Sequence, residues 1–212
     1  ATTATGDITA SGGGLLQGEA LTLEATTGSI DATSNLTGQT IDVLAANDLT
    51  IAGNVTGQSA AASGSGDVAL TAQSGDLEVA GNLEGAAITL TAGSGDVTYA
   101  GTVAATGLVD INASGGELSL SGDLTGASVI GHASEDGVVT ASVTSTSGDV
   151  TLDAGGDLTV SGDINSSASV DLSLLATSGG DLVIDVDVVQ AETDLSVTAN
   201  NGGSIQAAGN FE

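Results

Sequence analysis

Apolar side chains recur along this chain in short alternating pairs, and the pairs themselves recur roughly every 20 residues. In each pair two apolar residues flank one polar residue, which is the period-two pattern of a strand with one buried face. A first column of such pairs contains Leu21 and Leu23, Ile41 and Val43, Val68 and Leu70, Ile88 and Leu90, Val109 and Ile111, Val129 and Gly131, Val150 and Leu152, Val170 and Leu172, and Leu195 and Val197.

Two further columns complete each unit. The second column contains Ile30, Leu49 and Ile51, Leu77 and Val79, Val97 and Tyr99, Leu118 and Leu120, Val139 and Ala141, Leu158 and Val160, Leu182 and Ile184, and Ile205 and Ala207. The third column lies six residues beyond the start of the second in eight of nine units and four residues beyond it in one, and its members are Leu36, Val55, Leu83, Val103, Leu124, Val143, Ile164, Val188 and Phe211. This near-constant spacing predicts turns that stack in register.

We therefore predict an all-β fold, a parallel β-helix of about 9 to 10 turns of roughly 20 residues, with three strands per turn. At about 4.8 Å per turn the rod would be about 45 Å long. An antiparallel sandwich is disfavoured because a hairpin meander does not require one three-column template in every unit. The whole chain, residues 1–212, is predicted to be a single domain. Its longest surface insertion is expected at residues 57–66 and a smaller one near residues 188–194.

The joints between the columns also repeat. A Gly-Asp pair or a close relative precedes the second column, and Asn or Asp, mostly after Gly, precedes the third. Glycine tolerates positive φ and Asp or Asn hydrogen-bonds nearby backbone, so both joints are predicted to be turns. Stacked Asn or Asp side chains are predicted to form a ladder at the second joint, with each side chain satisfying a neighbouring turn.

The chain carries 27 acidic residues, no Lys or Arg, and a formal charge of −27. Nucleic acids and anionic membranes are therefore poor candidate partners, since nothing neutralises phosphate. No apolar run approaches the roughly 18 residues of a membrane span, so membrane insertion is not expected. The 40% of apolar residues are mostly small or aliphatic, which favours a core of strands.

The acidic joint of the second column supplies the metal-ligating candidates. These are Asp48, Asp76, Asp96, Glu117, Asp157 and Asp181. Carboxylates about 4.8 Å apart on adjacent turns would repel one another by roughly 0.9 kcal/mol even in bulk water. Backbone N–H groups, sodium or calcium could relieve that repulsion. Diffuse cation screening is the favoured hypothesis over stoichiometric calcium sites, and no other cofactor is expected.

Catalytic chemistry has little support. His132 is the only histidine, and it aligns with outward positions, so a solvated surface residue is the favoured interpretation. No Ser-His-Asp triad can be argued from these residues. Tyr99 falls on an inward column, where it could not line a binding groove. We predict no enzyme activity and no catalytic residues.

The units "GDLEVAGNLEGAAITLTAG" and "GDLTVSGDINSSASVDLSLLA" resemble the degenerate repeats of filamentous-haemagglutinin-type exoproteins, large adhesins of two-partner secretion systems in Gram-negative bacteria. The resemblance covers the chain from Gly6 to Phe211. It implies a right-handed parallel β-helix, export to the cell surface, and service as a rigid shaft in adhesion, aggregation or display. The alternative function is a carbohydrate-binding or polysaccharide-degrading β-helix.

The repeat runs from the first residues to the last. "ATTATGDI" aligns with "LEATTGSI" of the next unit, and Phe211 falls on the third column. We expect the partner of each end to be either the rest of a longer chain or a second copy stacked end to end. Cell-surface glycans or proteins are further candidate partners of such a shaft.

Overall fold

The computed structural model describes residues 1–11, 14–58, 66–166, 172–177, 179–190 and 195–211. Alternating short strands and tight corners form every turn of the described chain. Its strands are β1 (Thr2–Ala4), β2 (Ile8–Ala10), β3 (Leu15–Ala25), β4 (Ile30–Ala32), β5 (Asn35–Ala45), β6 (Leu49–Ile51), β7 (Val55–Gly57), β8 (Val68–Ala72), β9 (Leu77–Val79), β10 (Leu83–Gly85), β11 (Ile88–Ala92), β12 (Val97–Tyr99), β13 (Val103–Ala105), β14 (Leu108–Ala113), β15 (Leu118–Leu120), β16 (Leu124–Gly126), β17 (Ser128–Ala133), β18 (Gly137–Val139), β19 (Val143–Ser145), β20 (Val150–Ala154), β21 (Leu158–Val160), β22 (Ile164–Ser166), β23 (Leu172–Ala176), β24 (Leu182–Gln190), β25 (Leu195–Ala199) and β26 (Ile205–Phe211).

Each strand pairs in parallel with the equivalent strand one turn away, as β8 does with β11 and β11 with β14. Neighbours in sequence do not form hairpins, because every described pairing is parallel. The result is a β-solenoid of about nine turns of about 21 residues. The predicted fold is confirmed. No helix in the described part of the chain is long and apolar enough to cross a membrane.

The inward side chains of the three columns form one continuous apolar core. Leu70, Leu90 and Ile111 stack directly on one another and are fully buried, as are Leu77 and Val97 in the second column. Polar side chains alternate with them on the outside, because successive residues of a strand point to opposite faces. Burial of this aliphatic stack is the main favourable contribution to folding.

A fourth inward row, made only of alanine, was not predicted. It ends the first-column strand of every turn and pairs in register from one turn to the next: Ala4, Ala25, Ala45, Ala72, Ala92, Ala113, Ala133, Ala154, Ala176 and Ala199. Its members from Ala25 to Ala176 are buried. The methyl group suits this row because the chain bends here toward the second column and leaves little room.

The structure corrects the predicted register of two units. In one unit the second-column pair is Gly137 and Val139, because Gly137 lies opposite Leu118; the predicted pair, Val139 and Ala141, is two residues too late. With Gly137 as the start, Val143 follows after the usual six residues, so the predicted short unit does not exist. The misalignment arose because Gly137 carries no side chain where other turns have a large apolar one.

The second correction concerns the next unit of the first column. The structure pairs Val150 with Leu172 and Leu152 with Leu174, so the predicted pair Val170 and Leu172 is also displaced by two residues. The additional length lies between β22 and β23, where residues 167–171 fall outside the described chain.

The third column and the predicted insertions need smaller corrections. By backbone register Ile164 lies opposite Val189, not Val188, because the β24–β26 pairing shifts between Asp185 and Val188. Strand β24 extends through Gln190, so residues 188–190 of the smaller predicted insertion are strand, and residues 191–194 lie outside the described chain. Of the insertion predicted at 57–66, residues 59–65 lie outside it too.

Candidate functional site: the polar corners

Carboxylates line the corner before the second column and bind the backbone of the following turn. The Oδ1 atom of each accepts a hydrogen bond from the backbone N–H at the equivalent position one turn later. Asp76 N–H donates to Asp48 at 3.2 Å, Asp96 N–H to Asp76 at 2.9 Å, and Glu117 N–H to Asp96 at 2.8 Å. We call this row the acidic ladder. It gives a partner to an amide that the strand pairing leaves free.

The acidic ladder continues beyond the predicted residues. Asp157 N–H donates to Asp136 at 2.8 Å, Asp181 N–H to Asp157 at 2.7 Å, and Ser204 N–H to Asp181 at 2.8 Å. Asp7 begins the row by accepting from Ser29 N–H at 3.0 Å. All six metal-ligating candidates therefore lie in one row, as the sequence predicted, and the row also contains Asp136.

Sequence reasoning missed Asp136. The seventh unit was aligned on Val139, which placed Asp136 outside the corner. The signal that identifies it is its position directly before Gly137, which takes the inward place that a large apolar residue has in other turns. Gly137 and Asp136 together reproduce the Asp-apolar order of the corner with glycine as the inward member.

A second row of side-chain oxygens occupies the corner before the third column. Asn54 N–H donates to Asn35 Oδ1 at 2.9 Å, Asn82 N–H to Asn54 Oδ1 at 3.0 Å, and Thr102 N–H to Asn82 Oδ1 at 3.0 Å. Further along, Ser142 N–H donates to Asp123 Oδ1 at 3.0 Å. We call this row the amide ladder. The predicted ladder at this joint is confirmed for these residues.

Hydroxyl groups satisfy carbonyls that the same corners expose. Thr26 Oγ1 donates to Ala4 O at 3.1 Å, and Thr146 Oγ1 donates to Gly126 O at 3.2 Å. Each such bond again joins equivalent regions of adjacent turns. The corners thus use short polar side chains to hold one turn on the next.

The electrostatics of the acidic ladder follow from its donors. The backbone N–H and then the hydroxyl of Ser204 hold the pKa of Asp181 below its ordinary value of 3.8, because both donate to the ionised form. Within the described residues, no group of three or more His, Asp or Glu side chains is arranged to hold a metal ion. The ladder's backbone amides provide one of the sources of relief that the sequence suggested.

His132 lies on the outer face of β17, as the sequence predicted, and it has a partner that the sequence analysis missed. Its Nδ1 atom lies 2.6 Å from Asp153 Oδ2, with 41% of the His132 side chain and 24% of the Asp153 side chain exposed. The two residues pair in register on adjacent strands. An exposed pair of this kind adds little to stability. The neighbour on the other side, Asn112, accepts a hydrogen bond from Ser114 rather than contacting a nucleophile aligned with His132.

The surface of the described chain offers open depressions. One, of about 350 Å³, is lined by Gln17, Gly18, Glu19, Thr37, Gly38, Gln39 and Gln58. Its lining is polar and contains no aromatic side chain. Tyr99, the single tyrosine, is fully buried, and its hydroxyl donates to Gly81 O at 3.4 Å. The inward position predicted for Tyr99 is confirmed.

Comparisons with protein families, with curated proteins and with solved structures find no match to this chain. Function must therefore be argued from the solenoid and its ladders alone.

Proposed function

We propose that this chain is a structural shaft that acts outside the cell, as a fibre segment of a surface adhesin or of a stacked filament. The observation that carries the proposal is the use of its polar corners. In the acidic and amide ladders the side-chain oxygens that could serve chemistry are bonded to the next turn of the same chain. A rod built in this way sets a fixed distance between whatever its two ends carry.

The stiffness expected of such a rod supports the proposal. Each turn is joined to the next by parallel strands in three columns, by the continuous core and by two ladders. Bending would have to lengthen hydrogen bonds on one side of the rod while compressing close-packed side chains on the other. Repetition adds length in equal steps without a new core, which is the economy of a solenoid.

Composition supports an exposed location. The chain has no Lys or Arg, so trypsin-like proteases have no cleavage site even where the chain is locally open. A charge of −27 keeps the rods apart laterally in solution. We propose that the protein is secreted or held at the cell surface, has no catalytic activity, and mediates adhesion, cell-cell contact or matrix formation.

Imaging tests the shaft proposal directly. Purified protein should appear by electron microscopy as straight particles whose length is about 45 Å or a multiple of it. Antibody against the chain should label the outside of intact source cells, with an antibody against a cytoplasmic protein as the control. Flexible or globular particles would contradict the mechanical role, and labelling only after permeabilisation would contradict the location.

The competing function, binding of carbohydrate, is separated by a second measurement. A glycan array probed with the labelled protein should show no ligand that saturates in the micromolar range. Saturable binding that is lost in the Gln39→Ala variant, which changes the open depression of about 350 Å³, would favour the carbohydrate-binding alternative.

A further inference from the structure

The two end turns of the described solenoid carry the same columns as the turns between them. In the first turn, Ala4 belongs to the alanine row, Ile8 to the second column and Leu16 to the third. In the last turn, Ala199 belongs to the alanine row and Ile205 to the second column. Each column would therefore continue without a break if the first turn of one copy followed the last turn of another.

Apolar surface is exposed at both of these turns. Ile205 is 48% exposed, although its column partner Leu182 is fully buried. Leu195 and Val197 in the last turn, and Ile8 in the first, are only half-buried while they pack against the core. The outer edges of β25 and of β1 also carry backbone groups that would pair with a further parallel strand.

Charge favours contact between these two faces. Residues 195–211, which form the last described turn, contain no acidic residue, although the chain carries 27. The first turn, residues 1–18, contains one, Asp7, together with the amino group of Ala1. The two faces are therefore nearly neutral in a strongly negative chain, so their approach meets little repulsion.

We propose that the last turn of one copy binds the first turn of a second copy, head to tail, so that the β-solenoid continues across the junction. The register follows from the columns: Val197 lies opposite Thr2, Thr198 opposite Thr3, and Ala199 opposite Ala4. In the second column Ile205 lies opposite Ile8. This inference rests on the proposed shaft function and names its partner, a second copy of the chain.

Cysteine cross-linking tests the register, because the chain has no cysteine of its own. Thr3 and Thr198 both point outward from first-column strands, and across the proposed junction their Cα atoms would be about 4.8 Å apart. That separation lies within the range of a disulfide. The double variant Thr3→Cys with Thr198→Cys should form a series of covalent multimers under mild oxidation, resolved on a denaturing gel and reversed by reductant.

Matched variants separate this geometry from others. Each single variant, Thr3→Cys or Thr198→Cys, should stay uncross-linked, and their equimolar mixture should stop at the covalent dimer. Moving the second cysteine to Thr91, an outward residue of β11 in the middle of the rod, should abolish the multimers. Dimers of Thr3→Cys alone would overturn the head-to-tail arrangement in favour of head-to-head contact.

Two further results would overturn the proposal while leaving the shaft function intact. The first is a double variant that forms straight rods by electron microscopy but yields no more multimers than the Thr91→Cys control. The second is mass spectrometry of native material that finds peptides running from residue 211 into further repeat turns, since the chain itself would then cover the last turn. Multimers in the stated pattern, with native peptides that end at residue 212, would support it.

Discussion

At the scale of the residue, the oxygen of a short side chain performs the same task in nearly every described corner. Asp and Asn place Oδ1 one bond beyond Cγ, which is the reach needed to meet the amide of the following turn at 2.7 to 3.2 Å. The amide ladder changes from Asn to Asp at Asp123 and still accepts from Ser142. The acceptor atom, rather than the charge, therefore satisfies the backbone.

This view predicts the effect of changing one rung of the amide ladder. Asn82→Ala removes the acceptor of Thr102 N–H and should lower the free energy of unfolding by about 0.5 to 1.5 kcal/mol. Asn82→Asp keeps an acceptor at the same atom and should lie much closer to wild type. Urea unfolding followed by circular dichroism measures both.

The control for this pair is Asn112→Ala, which removes an acceptor of a neighbouring hydroxyl but of no backbone amide. It should change stability by less than Asn82→Ala. Equal losses in the two alanine variants would show that the ladder bond contributes nothing specific.

Tyr99 gives a prediction at alkaline pH. Burial raises the pKa of its hydroxyl well above the ordinary value of 10.0, so the folded chain keeps the proton longer than the unfolded chain does. The associated stability is complete below pH 10 and is lost as pH rises above it. We expect the thermal midpoint of wild type to fall between pH 10 and 11.5, while that of Tyr99→Phe stays nearly constant.

Absorbance provides an independent reading, because Tyr99 is the only tyrosine and the chain has no Lys or Cys that titrates in this range. The tyrosinate band should appear together with unfolding rather than before it. Ionisation near pH 10 with the circular dichroism unchanged would contradict the burial argument.

At the scale of the element, the strands are predictable where side chains of unequal size alternate. The pairs in β8, β11 and β14 fix both the strand and its inward face, and their register is as expected. Prediction failed at Gly137, where the inward residue has no side chain, and at β24, where the pairing shifts. A pattern of apolar residues cannot register a position that lacks one, nor can it locate a bulge.

The alanine row contained the missing register information. Ala154 and Ala176 lie opposite one another, and aligning "VTLDA" with "LSLLA" on these alanines gives the observed pairing of Val150 with Leu172. The same alignment would have revealed the neighbours His132 and Asp153, which precede consecutive members of the row. The corner ladders were predictable in residue type because they repeat.

The alanine row also yields a test of packing. Ala92→Leu inserts three carbon atoms where the chain bends toward the second column, and it should cost about 1 to 3 kcal/mol of unfolding free energy. The matched variant Thr91→Leu places the same side chain on the outer face of the same strand and should stay within about 0.5 kcal/mol of wild type. Denaturant unfolding compares the two, and similar losses would contradict the assignment of this row to the core.

At the scale of the whole molecule, stacked acidic turns make stability depend on salt. The carboxylates of the acidic ladder are bonded to backbone amides but still repel one another through solvent. Raising sodium chloride from 10 mM to 200 mM shortens the screening length and should raise the thermal midpoint by on the order of 5 °C.

Calcium distinguishes diffuse screening from specific sites. At matched ionic strength, millimolar calcium should raise the midpoint by about as much as sodium does, and calorimetric titration should show no saturation at a few ions per chain. A large shift that saturates at such a stoichiometry, and that is lost in Asp76→Asn, would replace screening with a calcium site on the acidic ladder.

The acidic ladder has a direction along the chain. In each bond described, the carboxylate belongs to the earlier turn and the amide to the later one. A polypeptide that emerges amino terminus first therefore finds the acceptors already in place, and each new turn can close on the finished one below it. Assembly from the other end would leave every new turn waiting for its cap. The rod is built for vectorial folding, in the order in which its residues appear.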